Sequence, residues 1–266
     1  MEAATATAPA PDWHAHLAVA RALVRRGFNE LLRVPGGALP GVVAPTIFLL
    51  GLTSVFGNLD QLRGFTGNEF ISFLIAITLL QSAVFTGAAT GVNLARDIEL
   101  GWFDRLLVSR APRPVILGGL LASAAIRALL PMSVALAVGF ALGVNFPGVG
   151  ALLLALTLAC LFACMAAAWS MILAMRFRTQ AAAPLMQATG FMAVLFTTSY
   201  APEELLSGWF GDIAHWNPVT QIVEAVRQGF VGSVTWGDTW PALAVIAILG
   251  TILVTGALRG LLRMGH

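Results

Sequence analysis

Six long apolar runs dominate this sequence and restrict what the chain can fold into. The runs cover residues 39–57, 70–95, 114–143, 149–175, 183–199 and 241–258. Several of them reach the length of about 18 residues or more that a helix needs to cross a bilayer. We therefore predict an integral all-α membrane protein with six transmembrane helices. These helices and their loops use nearly all of the 266 residues, which leaves no room for a separate soluble catalytic domain.

The placement of arginine orients the six predicted helices. All fifteen basic residues are arginine, and twelve of them lie in the N-terminal segment, in the loops after the second and fourth runs and in the C-terminal tail. On the opposite side only Arg63 and Arg227 lie in loops, and Arg127 falls inside the third run. The positive-inside rule then places both termini in the cytoplasm.

The N-terminal region divides into two parts. Residues 1–11 are small and rich in proline, which predicts a disordered tail. Residues 12–33 have helical periodicity, with apolar side chains such as Trp13 and Leu17 on one face and arginines on the remaining surface. We predict an amphipathic helix in the inner headgroup layer. Residues 12–266 as a whole are predicted to form one six-helix transmembrane domain.

The loop at residues 96–113, between the second and third runs, concentrates charge. It holds three acids, Asp97, Glu99 and Asp104, and four arginines. At helical spacing an apolar stripe appears, formed by Ile98, Trp102 and Leu106 with Phe103 beside them. We predict a short surface helix whose two aromatics require lipid headgroups or a pocket on a partner protein. The alternative is a solvated loop whose arginines only orient the protein.

The segment at residues 200–240 is a second unusual region. Helix-start signals occur at Pro202-Glu203 and again at Asn217-Pro218, with apolar residues between them. We predict two short helices that dip into the outer leaflet without crossing it. An aromatic belt at that face would comprise Trp209, Phe210, Trp216, Phe230, Trp236 and Trp240.

Arg127 is the one arginine inside an apolar run. The runs contain no acid that would neutralise it, so polar neighbours such as Gln81, Asn93 or Gln187, or a headgroup, are its expected partners. Either the third helix tilts until Arg127 reaches a hydrated crevice at the subunit edge, or Arg127 faces the transport path and meets a polar cargo group. A GxxxG spacing at residues 87–91 predicts close helix packing.

Catalytic motifs are absent from the sequence. There is no HExxH, no paired carboxylate inside a run, no glycine-rich phosphate loop and no lysine, which excludes a P-loop lysine. The two cysteines, Cys160 and Cys164, lie inside an apolar run, where small thiols pack between helices. We therefore expect no enzymatic activity, metal site, resident cofactor or nucleic-acid partner.

Two motifs resemble those of one transporter family. The inner loop carries Asp97-x-Glu99-x-Gly101-x-x-Asp104-Arg105-Leu106-Leu107, and the outer segment carries Pro202 and Glu203, Trp209, Asn217-Pro218 and Arg227. In this order, and after an amphipathic N-terminal helix, they are similar to the type-2 permeases of ATP-binding-cassette exporters, close to the daunorubicin-resistance type. The chain departs from the family pattern at Trp102, where a small hydroxyl residue is usual, and at Ser207-Gly208, where a proline is common.

The resemblance implies a multi-pass protein of the bacterial cytoplasmic membrane that pairs with a second permease subunit. A separate ATPase subunit would bind ATP and magnesium, and the inner loop would couple to it through Asp97, Glu99, Gly101, Trp102, Phe103, Asp104 and Arg105. The helix at residues 12–33 would help to hold the same ATPase. The transport path is predicted to include Arg127, Gln81 and Gln187. The cargo would be a hydrophobic drug or lipid, and the alternative is a polysaccharide or glycolipid precursor. The competing hypothesis is a membrane assembly or sensor subunit that does not transport.

Overall fold

The computed structural model describes residues 13–33, 35–56, 69–109, 111–198 and 208–264. Within these residues the chain is helical and forms no strand, which confirms the all-α prediction. The described α-helices are α1 (Trp13–Arg33), α2 (Pro35–Phe56), α3 (Glu69–Glu99), α4 (Trp102–Val108), α5 (Arg113–Ala141), α6 (Val149–Phe177), α7 (Ala183–Leu195), α8 (Trp209–Trp216), α9 (Val219–Val231) and α10 (Trp236–Arg263). The predicted tail at residues 1–11 and the residues Arg63, Pro202 and Glu203 lie outside the described part of the chain.

Four of the described helices, α3, α5, α6 and α10, are long and apolar enough to cross a membrane. The first predicted run instead forms α2, whose apolar segment is the shorter Pro40–Val55. The fifth run forms α7, whose 13 residues extend over only about 20 Å at 1.5 Å per residue. That distance is less than the hydrocarbon thickness of about 30 Å. Four crossings are therefore supported by length and composition, and six remain a prediction.

Helix α3 is the centre of the bundle. It packs most extensively against α6, and also against α2, α5, α7 and α9. The α3–α6 crossing is close because Gly87 and Gly91 have no side chains. A Cβ atom at Gly87 would lie 2.5 Å from the Ala166 Cβ, and one at Gly91 would lie 2.4 Å from the Ser170 Cβ. The close packing predicted from the GxxxG spacing is confirmed.

The central helix also carries a stripe of buried hydroxyl side chains. Thr78, Ser82, Thr86 and Thr90 follow one another at four-residue intervals, and each donates a hydrogen bond to the backbone carbonyl four residues earlier. Because these bonds satisfy the hydroxyl groups locally, α3 can bury them at no net loss of hydrogen bonding. The stripe leads toward Asn93 and Asp97 at the C-terminal end of α3.

Two short helices, α8 and α9, precede α10. Helix α9 begins directly after Asn217-Pro218, as predicted, and packs against α3, α6 and α10. Its buried face includes Ile222, Val226 and Phe230. Helix α8 is more exposed, and its terminal tryptophans, Trp209 and Trp216, are largely uncovered. Two short helices are present in this segment, and the second begins where it was predicted. The predicted start of the first, at Pro202-Glu203, lies outside the described residues. The entry of both helices into the outer leaflet stays a prediction.

Candidate functional site

The inner loop contains a short helix, α4, but the predicted helical stripe is not continuous, because Ile98 belongs to α3 and the chain turns at Gly101 before α4 begins. Helix α3 ends at Glu99, and Gly101 then adopts a left-handed conformation with a φ of 67° that turns the chain into α4. This conformation favours glycine because it has no Cβ atom. The space around Gly101 is open, with nothing packed within 4 Å of its Cβ position. The preference for glycine here therefore comes from the backbone conformation and not from a close contact. The α4 helix ends at Val108, and the Ser109 hydroxyl donates a hydrogen bond of 2.6 Å to the Leu106 carbonyl.

The two adjacent aromatics of α4 have different environments. Phe103 is 1% exposed and belongs to a hydrophobic cluster with Leu23 of α1, Ile116 of α5 and Met171 of α6. Trp102 is 36% exposed. The prediction that both aromatics seek lipid or a partner protein is therefore wrong for Phe103, which packs into the interior of its own chain.

The most exposed apolar side chains of this loop are two aliphatic residues. Leu100 is 69% exposed and Val108 is 88% exposed. Asp104 and Arg105 are exposed between them. The exposed surface of the α3–α4–α5 turn thus includes Leu100, Asp104, Arg105 and Val108, and we call these four residues the α4 surface.

Arg26 of α1 connects three parts of the site. Its guanidinium donates to the Asp97 carboxylate at 2.6 Å and to Glu30 at 3.3 Å. The same guanidinium lies 3.6 Å from the centre of the Trp102 ring, where a cation–π interaction adds to the ion pairs. Asn93 donates to the second Glu30 oxygen at 3.1 Å. We call Arg26, Glu30, Asn93 and Asp97 the α1–α3 network.

Arg127 of α5 faces this network. Its side chain is 5% exposed, donates to the Thr90 hydroxyl at 2.5 Å and to the Ser123 carbonyl at 3.3 Å, and interacts electrostatically with Glu30. A cavity of about 30 Å³ is lined by Arg127, Thr90, Ser123 and Glu30 together with Asn93. This cavity is large enough for about one water molecule. Arg127 is therefore held between α1, α3 and α5.

Of the predicted partners of Arg127, only Asn93 lines this cavity. Gln81 is buried on α3 more than two turns before Thr90, and Gln187 lies on α7, so the structure does not bring either of them to Arg127. The physical reason is that α1 packs across α5 and supplies Glu30, an acid from outside the apolar runs. At this crossing a Cβ atom on Gly27 would lie 2.1 Å from the Ser123 hydroxyl.

Sequence reasoning missed Arg26, Glu30, Thr90 and Ser123 as site residues. A local signal existed for some of them, because Arg26 and Glu30 are four residues apart on α1, and Asn93 and Asp97 are four apart on α3. Such pairs indicate two polar stripes. They do not indicate that the stripes face each other.

Glu99 connects two turns at the same end of the bundle. Its carboxylate accepts hydrogen bonds from the Gln180 backbone N–H at 3.0 Å and from the Gln180 side chain at 2.7 Å. Gln180 begins a 3₁₀ turn, Gln180–Ala182, that leads directly into α7. A carboxylate at the start of a helical turn is stabilised by its free N–H groups. The end of α3 is thereby fastened to the start of α7.

Two of the predicted outer residues, Asn217 and Arg227, make a second set of polar contacts, which we call the outer cluster. Trp209 is exposed, and Glu203 lies outside the described residues. The Asn217 amide donates to the Ala193 and Phe196 carbonyls at 2.8 and 2.6 Å, and its oxygen accepts from the Val219 N–H at 3.0 Å. One side chain therefore satisfies the end of α7 and the start of α9 together.

Arg227 lies at the centre of the outer cluster. It is 5% exposed, donates to the Thr198 carbonyl at 2.6 Å and to Glu224 at 3.1 Å, and lies over the Phe73 ring at 3.5 Å. The ion pair, the Thr198 carbonyl and the ring contact partner the two terminal nitrogens and one face of this buried guanidinium, while its Nε makes no hydrogen bond among the described residues. These contacts join α9 to α3 and to the segment after α7.

Comparisons with known proteins place the chain in a family. A family model described as "ABC-2 type transporter" matches residues 19–231, from α1 to the end of α9. The chain belongs to the ABC-2 type transporter family. This ABC-2 protein is similar to the daunorubicin resistance ABC transporter permease protein DrrB1 of Streptomyces coeruleorubidus, with 24% identity over 223 residues. The aligned region covers 82% of this chain and 77% of that relative. The resemblance seen in the sequence is confirmed, and the protein is a multi-pass transmembrane subunit of an ABC transporter.

Proposed function

We propose that this ABC-2 protein is the permease of an exporter that moves a hydrophobic drug or a lipid-like molecule across the bacterial cytoplasmic membrane. The name of its relative, a drug resistance permease, supports a hydrophobic drug as cargo. The four long apolar helices support a hydrophobic cargo that enters the protein from the bilayer.

The energy source would be a separate ATPase subunit that docks on the α4 surface. The observation that carries this proposal is the contrast between the two sides of α4. One side is fixed to the chain through buried Phe103 and through Trp102 beneath Arg26, while Leu100, Asp104 and Val108 are exposed. An interface needs apolar anchors with complementary charges around them. A helix held on one side presents such a surface at little cost in conformational entropy.

Force applied to α4 would reach the bundle through the polar contacts around it. The Arg26–Asp97 pair fastens α1 to α3, and the Glu99–Gln180 bonds fasten α3 to the start of α7. A displacement of α4 on nucleotide binding would then move α1, α3 and α7 as a unit. In this proposal Asp97 and Glu99 transmit motion within the permease, whereas Asp104 and Arg105 contact the ATPase.

A second permease subunit would complete the transporter. Helix α10 is apolar enough to cross a membrane, yet only 11% of its apolar window is buried within the chain. Its exposed side chains include Ile248 and Ile252. In our proposal lipid and a second permease share these exposed helical faces.

The docking proposal is tested by capture of the ATPase from membranes. We expect Val108→Arg to abolish co-purification of an ABC ATPase with the permease, because it places a charge on an apolar anchor. Val234→Arg is the matched control, since Val234 is also an exposed valine but lies on the predicted outer side. An ATPase that is captured equally well by both variants would contradict the proposal.

The cargo is tested separately in inside-out vesicles that contain both subunits. We expect ATP-dependent accumulation of daunorubicin, used as the probe, and its loss in the Val108→Arg variant. Vesicles that hydrolyse ATP through a bound ATPase but accumulate neither daunorubicin nor a fluorescent phospholipid would refute the assigned cargo while leaving the permease role intact.

A further inference from the structure

An open apolar groove runs between α1 and the middle of α5, on the side of α1 opposite the α1–α3 network. It has a volume of about 470 Å³. Its apolar lining consists of Leu17, Ala20, Val24, Phe28 and Ile126. Leu17, Phe28 and Ile126 remain 40–55% exposed, so no part of the described chain covers the groove. Apolar surface of this kind requires an apolar occupant.

The position of Ile126 identifies the surroundings of the groove. Ile126 lies near the middle of α5, a helix of 29 residues, and therefore about 20 Å from its first residue. The same helix is long and apolar enough to cross the membrane. The floor of the groove is thus at the depth of the hydrocarbon, where a water-soluble partner does not reach.

Two arginines border the groove. Arg21 and Arg25 line it, are exposed and lie one helical turn apart. Among the described residues neither of them pairs with a carboxylate, whereas the next arginine, Arg26, pairs with two. Like charges four residues apart on a helix repel each other, so an anion between them would be stabilising. Guanidinium groups match the geometry of phosphate.

We propose that this groove binds an anionic glycerophospholipid. One acyl chain lies along Leu17, Val24, Phe28 and Ile126, and the phosphate lies between Arg21 and Arg25. The apolar floor and the paired cations occur side by side, which is the arrangement of a phospholipid tail and its headgroup. The site requires only that the chain lies in a membrane. It does not depend on transport, on the ATPase or on the nature of the cargo.

Native mass spectrometry of the purified full-length protein tests the site. The protein is exchanged into detergent micelles with equal amounts of phosphatidylglycerol and phosphatidylcholine, and the bound lipids are counted. We expect phosphatidylglycerol to be retained in preference. Neutralising both arginines, in Arg21→Gln with Arg25→Gln, should weaken that retention by about tenfold or more, since each cation near a membrane surface contributes on the order of 1 kcal/mol, and about 1.4 kcal/mol is tenfold.

Two further variants separate the groove from general electrostatics. Arg259→Gln with Arg263→Gln is the matched control, because these arginines are also exposed and one turn apart, but they are on α10 and do not line the groove. This control should keep the preference for phosphatidylglycerol. Ile126→Trp fills the groove without changing any charge and should reduce retention of both lipids.

Several outcomes would overturn the proposal. Equal retention of the two lipids by the unmodified protein, or an unchanged preference in the Arg21→Gln and Arg25→Gln variant, would show that the arginines do not select an anionic lipid. If this variant instead loses the captured ATPase or a second permease copy while its lipid retention is unchanged, the arginines serve a protein interface and the lipid site is refuted.

Discussion

At the scale of single residues, Arg26 holds the site together. It contacts Asp97, Glu30 and the Trp102 ring, and its side chain and that of Asp97 are mostly buried. Removing one partner of such a pair leaves the other charge buried and unpaired, which costs more than the pair itself contributes. The stability of the α1–α3 network therefore depends on this one guanidinium.

We expect Arg26→Ala to destabilise the protein by about 1–3 kcal/mol, because it removes the ion-pair partner of Asp97 and one of the two side-chain donors to Glu30, the other being Asn93. The measurement is the thermal unfolding temperature of the purified protein in detergent. Arg25→Ala is the control, since the adjacent Arg25 is exposed and pairs with no carboxylate among the described residues. Equal unfolding temperatures for the two variants would contradict the role given to Arg26.

Local signals in the sequence predicted some of these residues and could not predict others. Asn217 stands at a predicted helix start, and the structure places it there, with its side-chain oxygen accepting from the Val219 N–H. The turn at Gly101 was not predicted. The burial of Phe103 and the approach of Glu30 to Arg127 depend instead on α1, which is far away in the sequence. Periodicity indicates which face of a helix is apolar but not which helix covers it.

At the scale of helices, hydropathy predicted the elements, and packing decided their lengths and partners. Helices α3, α5, α6 and α10 coincide with four of the predicted runs because a bilayer-length apolar segment has few alternatives to a helix. Helix α7 ends at Leu195, before its predicted run does. At this end the Asn217 amide donates to the Ala193 carbonyl in the last turn of the helix. The amphipathic helix α1 was predicted for the headgroup layer, and its position in the membrane stays a prediction. Its packing against α5 was not predicted.

Among the described helices, the most extensive packing is that of α3 against α6, which approach closely at Gly87 and Gly91. We expect Gly91→Ala to destabilise the bundle by at least about 1–3 kcal/mol, because its Cβ would lie 2.6 Å from Ser170 backbone atoms and a tightly packed interior cannot absorb the added volume. Monodispersity in size-exclusion chromatography and the unfolding temperature report the effect.

The control for this crossing is Gly118→Ala on α5. Gly118 is also inside a long helix, but nothing lies within 4 Å of its Cβ position. Alanine there should leave the unfolding temperature unchanged or raise it, because alanine has the higher helix propensity. If Gly91→Ala behaves like Gly118→Ala, the two helices are not in tight contact at this point.

At the scale of the whole molecule, burial is uneven in a way that a membrane permits. The apolar window of α3 is 94% buried and that of α10 only 11% buried. In water an exposed apolar helix would drive aggregation, whereas lipid or a second subunit covers it in a bilayer. Two groups of polar contacts hold the helices together, one around Arg26 and Glu99 and one around Asn217 and Arg227.

These two clusters should lie on opposite sides of the membrane. We predict that single cysteines introduced as Ser109→Cys and Ala181→Cys are labelled by an impermeant maleimide only from the cytoplasm, and Asp212→Cys only from outside. All three residues are exposed. The background carries Cys160→Ala and Cys164→Ala, which removes the native thiols.

The labelling pattern decides whether the α7 segment crosses the membrane, because Ala181 precedes α7 and Asp212 follows it. Helix α7 is too short to cross the hydrocarbon alone, so the two residues can face opposite sides only if the segment after Leu195 completes the passage. Asn217, which binds the end of α7, would then lie near the outer surface together with Trp209 and Trp216. Labelling of Ala181→Cys and Asp212→Cys from the same side would instead make α7 a helix that enters and leaves through one leaflet, and the six-helix topology would be wrong.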